Sequence, residues 1–130
     1  MNTQRSSEPH GHILVVDDNV IGRKLLARLW EGRGYSVTAV ASGKKALEAF
    51  QAVRPSLVLM DCEMPILDGY ETTRRLRAME GATGRIPIVA VTLYDEPEIS
   101  TKSKAAGMDG VYVKPFTNAN AAEIAERFSL

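Results

Sequence analysis

The chain has 130 residues, 45% of them apolar, which is enough for one domain with a core of its own. Sixteen basic and sixteen acidic residues cancel to a formal net charge of zero without like-charge blocks, so neither a nucleic-acid surface nor a polybasic membrane patch is indicated. The chain has no apolar run near the roughly 20 residues that span a bilayer, no secretory signal and a single cysteine, so we expect a cytoplasmic protein without direct membrane contact.

The first segment, residues 1–12, is polar and has no hydrophobic period, which predicts a flexible tail or linker remnant before a domain at 13–130. Short runs rich in Val and Ile follow, as expected for strands buried on both faces. These runs are Ile13–Val16, Val37–Val40, Leu57–Met60, Ile88–Val91 and Val111–Val113.

Longer stretches with helical spacing separate the runs. Their inward positions are predicted to be Ile21, Leu25 and Leu29 in the first helix, Ala46, Ala49, Phe50 and Val53 in the second, Thr72, Leu76 and Met79 in the third, Ile99, Ser103 and Ala106 in the fourth, and Ala121, Ile124, Ala125 and Phe128 in the fifth. Ser42 and Asp68 can cap the second and third helices, and glycines follow the first, third and fourth. Five strand-helix units in alternation predict an open, doubly wound α/β sandwich with a parallel sheet.

Polar residues stand directly after four of the predicted strands. They are Asp17 and Asp18 after the first, Asp61 after the third, Thr92 after the fourth and Lys114 after the fifth. In open α/β sheets ligands bind at the carboxyl ends of the strands. Clustered carboxylates repel one another and favour a hard cation such as Mg²⁺, while a lysine and a hydroxyl suit a phosphoryl group. The set predicts phosphoryl chemistry on or beside an aspartate.

Each of these residues also has an ordinary structural interpretation. Asp17, Asp18 or Asn19 could cap the helix that follows, and Thr92 or Lys114 taken alone would be a strand residue and a surface lysine. By the same reasoning Cys62 is predicted to pack beside the site, and Trp30 to pack in part against a neighbouring helix. The arginines of the third helix, Arg74, Arg75 and Arg77, are predicted to form a solvated face, with partner docking as the alternative.

Five segments together resemble the receiver domain of two-component response regulators from Ile13 to about Phe128. They read "ILVVDDN", "LVLMDCEMPILDGYE", "IPIVAVT", "AAGMD" and "VKPF". The stretch "MDCEMPILDGYETTRRLR" is similar to receivers of hybrid sensor histidine kinases. The resemblance implies a flavodoxin-like (βα)5 fold with strand order 2-1-3-4-5.

The resemblance also implies a role for each site residue. Asp61 would accept a phosphoryl group from a phosphohistidine on a histidine kinase or histidine phosphotransfer protein. Magnesium would be bound by Asp18 and Asp61 directly, by Asp17 through water, and by the backbone carbonyl of Glu63. Lys114 and Thr92 would contact the phosphoryl oxygens, and the Lys114–Pro115 bond would be cis.

Such a domain phosphorylates and dephosphorylates itself rather than acting as a metabolic enzyme, and would be a monomer or weak dimer. Phosphorylation would change the partner preference of the face formed by the fourth helix, fifth strand and fifth helix.

Two departures from the family pattern bear on this switch. Leu93 and Tyr94 follow Thr92, where a small residue is usual after the threonine, and are expected to narrow access to the phosphoryl group. Val111 takes the usual aromatic position, with the tyrosine displaced to Tyr112, which weakens the expectation of coupling through that ring.

Two other functions remain open at this point. One is a receiver-like interaction module that is never phosphorylated. The other is a Mg²⁺-dependent phosphotransferase with an aspartyl-phosphate intermediate, although such enzymes often carry Asp-x-Asp at the nucleophile, where this chain has Asp61, Cys62 and Glu63.

Overall fold

The computed structural model describes residues 10–81 and 84–130. Five strands alternate with five helices along the chain. The strands are β1 His12–Val16, β2 Ser36–Val40, β3 Leu57–Asp61, β4 Ile88–Thr92 and β5 Gly110–Val113. The helices are α1 Val20–Gly32, α2 Gly43–Ala52, α3 Gly69–Glu80, α4 Pro97–Ala106 and α5 Asn118–Arg127.

All strand pairs are parallel, and the order across the sheet is β2-β1-β3-β4-β5, as predicted. The register places Val16 opposite Met60, and Thr92 opposite Val113. Residues that follow neighbouring strands therefore emerge at one edge of the sheet, where β1 and β3 lie side by side.

Side chains alternate between two cores, one on each face of the sheet. On one face, strand residues such as Val16 and Met60 pack with residues of α2, α3 and α4. On the other, residues such as Val15 and Leu59 pack with α1 and α5. This arrangement confirms the doubly wound sandwich and explains why the strands read as continuous apolar runs.

Helix ends follow the sequence signals closely. Ser42 and Asp68 accept hydrogen bonds from the amides of Lys45 and Glu71 at 3.2 and 2.9 Å, which confirms both predicted caps. The fourth helix ends at Gly107, which has the left-handed φ of 102°. The predicted exit of the third helix runs from Gly81 to Gly84, of which residues 82 and 83 lie outside the described part of the chain.

The predicted inward face of α1 is wrong for Ile21 and Leu25, while Leu29 packs in part against the core as predicted. Ile21 and Leu25 are 68% and 62% exposed, whereas Leu26 and Trp30 are buried. The helix carries two adjacent apolar stripes, and the core takes the one that ends on the large indole. Trp30 is completely buried beside Tyr35, with ring centroids 5.2 Å apart, and its ring also lies near Phe116.

Two smaller predictions also differ from the structure. Val53 is exposed because α2 ends at Ala52 and the chain turns extended there. His12 begins β1 instead of ending the tail, since its two ring nitrogens lie 2.7 Å from the hydroxyls of Ser36 and Thr38 on the next strand. Residues 1–9 of the predicted tail lie outside the described residues.

Arg77 is not part of a solvated helix face, in contrast to the prediction. Its side chain is 13% exposed and bonds Glu80 at 2.6 Å and Asp109 at 2.8 Å. It also donates to the carbonyl oxygens of Ile86 and Gly107. Arg77 therefore ties α3 to the segments that begin β4 and β5. No helix within the described residues is long and apolar enough to cross a membrane.

Candidate functional site

Three predicted aspartates converge at the carboxyl edge of the sheet. Asp17, Asp18 and Asp61 each offer a carboxylate oxygen, and these oxygens all lie within 4.8 Å of one another. Asp17 and Asp61 are buried, while Asp18 is exposed. The pairing of β1 with β3 produces this cluster, because Asp17 directly follows β1 and Asp61 is the last residue of β3.

The cluster is not a set of helix caps. The cap of α1 is Asn19, whose side-chain oxygen accepts from the Gly22 amide at 2.9 Å. Asp17 instead accepts from the Asn19 amide at 2.9 Å and from Lys114 Nζ at 3.1 Å. Gly22 is also needed beside it, since a Cβ there would lie 2.9 Å from Asp17 Oδ2. The Asp17 carboxylate is thus fixed in position at the carboxyl edge of the sheet.

Asp61 has an unusual protonation equilibrium in the unliganded protein. Burial, followed by the charge of Asp17, raises the pKa of its carboxyl to about 7. The amide of Glu63, which donates to Oδ1 at 3.2 Å, and the charge of Lys114 oppose this rise. The negative charge of the cluster therefore exceeds what the ammonium group of Lys114 stabilises. A cation bound at this edge would reduce the repulsion between the carboxylates.

Thr92 lies on β4, the strand beside β3, and Lys114 directly follows β5, the strand beside β4. Thr92 ends β4, is fully buried, and its hydroxyl accepts from the Tyr94 amide at 3.3 Å. The Lys114 amide donates to the Thr92 carbonyl at 2.7 Å, so the two predicted residues are adjacent. The Lys114–Pro115 bond is cis, which confirms that prediction.

The loop after Asp61 is built around Gly69. Its amide donates to the Cys62 carbonyl at 3.1 Å, and a Cβ at this position would lie 2.1 Å from the Asp61 backbone oxygen. Cys62 is completely buried beside the site, which confirms the predicted packing, and burial raises the pKa of its thiol. Glu63 contributes the amide described above and is itself exposed.

Sequence reasoning missed an apolar rim around the site. We use this name for five exposed residues, Ile21, Leu25, Ile66, Leu93 and Tyr94. Beside it, a groove of about 440 Å³ between α1 and the segment after β5 is walled by Leu25, Leu29, Pro115 and Phe116, and reaches Asp17 and Lys114. The sequence pointed to Leu93 and Tyr94 beside the site, whereas Ile21 and Leu25 were signalled only by a helical spacing that predicted burial.

The donor set fits magnesium. Its side-chain ligands are carboxylate oxygens, the class that Mg²⁺ prefers, and the exposed Asp18 leaves room for water on the open side. Fold and site together define a signalling-type α/β domain with an acidic centre at its switch point. Residues 13–126 match the model of the response regulator receiver domain. The chain belongs to this family.

The relatives are largely receivers within histidine kinases. The chain is 36% identical over 109 residues to hybrid signal transduction histidine kinase C of Dictyostelium discoideum, covering 80% of this chain and 9% of that protein. It is 37% identical over 111 residues to the CAI-1 autoinducer sensor kinase/phosphatase CqsS of Vibrio cholerae, covering 85% of this chain and 16% of CqsS. The chain therefore spans less than a fifth of the length of these relatives.

Solved receiver structures share the fold. One of them is the receiver domain of sensor histidine kinase PA1611 from Pseudomonas aeruginosa, which has a magnesium ion coordinated in its active site cleft. It superposes on this chain with a TM-score of 0.82 and is 36% identical in sequence. The match covers 91% of this chain and 96% of the PA1611 receiver. The receiver domain of the histidine kinase CKI1 from Arabidopsis thaliana, complexed with Mg²⁺ and BeF3⁻, gives 0.82 at 31% identity over 93% and 91%.

Proposed function

We propose that this receiver domain is phosphorylated on Asp61 by the phosphohistidine of a histidine kinase or histidine phosphotransfer protein. Magnesium would be held by Asp17, Asp18, Asp61 and the carbonyl of Glu63. The observation that carries the proposal is the convergence of three carboxylates within 4.8 Å beside Lys114. Histidine kinase relatives and the magnesium in the PA1611 receiver support it.

The chemical step is a transfer between two nucleophiles. A carboxylate oxygen of Asp61 forms a bond to phosphorus as the phosphorus–nitrogen bond of the donor breaks, and the imidazole leaves with that electron pair. Asp61 must be ionised to attack, although its pKa is about 7 without a cation. When bound by Asp17, Asp18 and Asp61, magnesium would supply positive charge that favours the ionised carboxylate and stabilises the phosphoryl oxygens.

Lys114 and Thr92 provide the response to phosphorylation. The phosphoryl group adds about −1.5 to −2 units of charge. In the resting protein Lys114 pairs with Asp17, and the Thr92 hydroxyl accepts from the Tyr94 amide. Both can turn toward the new oxygens, which favours the conformation that brings them closest. The face formed by α4, β5 and α5 then changes its partner preference.

The apolar rim is proposed as the docking surface for the phosphohistidine donor. A donor must bring its histidine to Asp61 at the carboxyl edge, and the rim and groove surround that edge. Exposed apolar patches of this kind mark interaction sites. This proposal gives Leu93 and Tyr94 a second role, as contacts for the donor as well as limits on access by small molecules.

The cellular setting follows from these partners. We propose a cytoplasmic domain that acts as a monomer or weak dimer and dephosphorylates itself, instead of turning over a metabolite. Static light scattering with and without BeF3⁻ would measure the oligomeric state in both forms.

The proposal is tested by intact mass after incubation with acetyl phosphate, with and without Mg²⁺. We expect a gain of one phosphoryl group that requires Mg²⁺ and is lost in Asp61→Asn but kept in Asp95→Asn, an exposed control. BeF3⁻, which mimics the phosphoryl group, is the second reagent. Its binding shows that the site is competent even if Leu93 and Tyr94 exclude acetyl phosphate. If the folded wild type takes up Mg²⁺ but neither reagent, an unphosphorylated interaction module is the better account.

A further inference from the structure

The groove beside the site has the dimensions of a small-molecule site. Its volume of about 440 Å³ lies within the range of about 300 to 1,000 Å³ that is common for such sites. One wall is α1, with Leu25 and Leu29, and the other is the segment after β5, with Pro115 and Phe116. A compact apolar molecule placed between these walls would be covered by both.

A glycine keeps the inner end of the groove open. Gly22 lines the groove, and a Cβ at this position would lie 2.9 Å from Asp17 Oδ2. Any larger residue would therefore crowd Asp17 and occupy space at that end. Because Gly22 has no side chain, the groove extends from its apolar walls to the Asp17–Lys114 ion pair, whose charged atoms are 3.1 Å apart.

The charges that line the groove favour an anion. They belong to Asp17, Lys114 and Arg28, and Asp17 and Lys114 already pair with each other. Arg28 is exposed and makes no ion pair or hydrogen bond within the described part of the chain. Asn118, on the facing side, adds an uncharged amide. The unpaired charge of the groove is therefore positive.

The other charged side chains of α1 do not change this sign. Arg23 is half-buried and donates to the Asp17 carbonyl at 2.9 Å. Lys24 and Glu31 are exposed, carry opposite charges and do not line the groove. A carboxylate beside Arg28 would gain a charge-assisted hydrogen bond, and the planar guanidinium can offer it two parallel N–H groups.

We propose that this groove is a binding site for a small amphipathic carboxylate, a molecule with a compact apolar body and one terminal acid group. The body would pack against Leu25, Leu29 and Phe116, and the carboxylate would pair with Arg28. An apolar groove next to an unpaired arginine is the juxtaposition that carries the proposal. The site would select against cations, which Arg28 repels, and against neutral molecules of the same shape, which gain nothing from its charge.

Occupation of the groove would regulate phosphotransfer, because the groove is part of the surface proposed for the phosphohistidine donor. This consequence rests on the proposed function, whereas binding of the carboxylate does not. A bound ligand would cover Leu25 and so exclude a protein donor. Acetyl phosphate is small and needs no contact with α1, so its reaction with Asp61 should continue.

Binding is tested with phenylbutyrate, and phenylbutanol serves as the uncharged probe of similar shape. Amide chemical shifts of the full chain, followed by NMR as each probe is added, give both the affinity and the location. We expect the largest shifts in α1 and in the segment after β5. Phenylbutyrate should bind about three- to tenfold more tightly than phenylbutanol.

Two charge-neutralising substitutions on α1 form a matched pair. Arg28→Gln should remove the preference for the carboxylate and leave the affinity for phenylbutanol unchanged. Lys24→Gln removes a positive charge from an exposed residue that does not line the groove, so it should keep the preference. Leu25→Ser, at an exposed position, should weaken the binding of both probes.

Three results would overturn the inference. Shifts centred away from the groove would place the ligand elsewhere. Equal affinity of the wild type for the two probes would show apolar binding without recognition of the acid group. An equal loss of preference in Arg28→Gln and Lys24→Gln would show an effect of net charge and not of a contact with Arg28.

The consequence for phosphotransfer is measured separately. At about ten times its Kd, phenylbutyrate should slow transfer from a phosphorylated histidine phosphotransfer domain about tenfold, as mass action requires for competition. Binding in the groove without any slowing would contradict the proposed donor surface and leave the ligand site supported. If the wild type is phosphorylated by the donor but does not bind phenylbutyrate, the ligand site is contradicted and the proposed function stands.

Discussion

At the scale of single residues, Asp61 combines two demands that conflict in the unliganded protein. It must be buried beside Asp17 and Asp18 to share a cation and to bond the Glu63 amide, but burial disfavours its charge. A pKa of about 7 is the result. The site is therefore stable with a bound cation or a proton, and less stable with neither.

This conflict predicts a pH-dependent stability without Mg²⁺. The pKa of Asp61 rises from an ordinary 3.8 to about 7 on folding, so the folded protein holds this proton more tightly than the unfolded chain does. The free energy of unfolding is therefore highest at low pH and falls as pH rises through that window. Asp61→Asn should stabilise the metal-free protein at pH 8 by about 1 to 3 kcal/mol, and by less at pH 5. Urea unfolding at both values of pH measures the difference.

Asp95→Asn is the control, since Asp95 is exposed and should change stability little at either pH. Magnesium should stabilise the wild type more at pH 8 than at pH 5, because protons and the cation compete for the same carboxylates. Equal stabilisation by Asp61→Asn at both values of pH would contradict this account of the site.

A second residue-scale prediction concerns the loop that carries Asp61. Gly69→Ala places a Cβ against the Asp61 backbone oxygen, so we expect a loss of about 1 to 3 kcal/mol and weaker BeF3⁻ binding. Gly32→Ala is the matched control, because beyond its own helix turn no atom of the described residues lies within 4 Å of the added Cβ. Thermal unfolding and BeF3⁻ titration of both variants check this, and equal effects would show that the close approach does not matter.

At the scale of elements, the Arg77 network fastens α3 to the starts of β4 and β5. Arg77→Ala removes the buried member of both ion pairs, with Glu80 and with Asp109, together with two bonds to backbone carbonyls, and should cost about 3 to 5 kcal/mol although Asp109 keeps its pair with Arg85. Arg75→Ala on the same helix removes only an exposed pair with Glu71 and should cost less than about 1 kcal/mol. Chemical denaturation separates the two, and similar losses would refute the structural role of Arg77.

Most elements could be predicted from sequence because their signals are local. Val-rich runs specify the strands, Ser42 and Asp68 cap helices through their own side chains, and Gly107 supplies the left-handed end of α4. The convergence of Asp17 with Asp61 could also be predicted from sequence, since the carboxyl ends of parallel strands lie at one edge of the sheet.

Other features depend on contacts between distant elements, which sequence spacing does not contain. The choice between the two apolar stripes of α1 depends on the space that Tyr35 and Phe116 leave for Trp30. Arg77 looks like its solvated neighbours until Asp109, 32 residues later, lies beside it. Ile21 and Leu25 were missed as members of the apolar rim for the same reason, since their helical spacing is also that of residues in the interior.

At the scale of the whole molecule, the two layers of helices differ in whether they border the groove beside the site. The layer with α1 borders the groove and most directly flanks the edge that a donor must approach. The layer with α3 and α4 contains the Arg77 network. The proposed docking groove and the contacts that fasten α3 therefore lie on opposite faces of one sheet.

This division predicts that docking can be disrupted alone. Leu25→Glu should slow phosphotransfer about tenfold or more from a phosphorylated histidine phosphotransfer domain that serves the wild type, because it puts a charge in the apolar rim. Phosphorylation by acetyl phosphate should be unchanged. Val53→Glu, an equally apolar and exposed site on the other layer, should affect neither rate. Loss of acetyl phosphate reactivity in Leu25→Glu would instead indicate damage to the site.

The burial of Trp30 gives the protein a spectroscopic reporter of one layer. It is the single tryptophan of the chain, and its indole nitrogen makes no hydrogen bond within the described residues, so its emission should be blue-shifted. Phe116, which walls the groove, lies 6.4 Å from the indole between ring centroids. Fluorescence will therefore register a donor entering the groove, whereas a change confined to the layer of α3 and α4, on the far side of the sheet, will be nearly silent. Intrinsic emission can thus follow docking in an unlabelled sample.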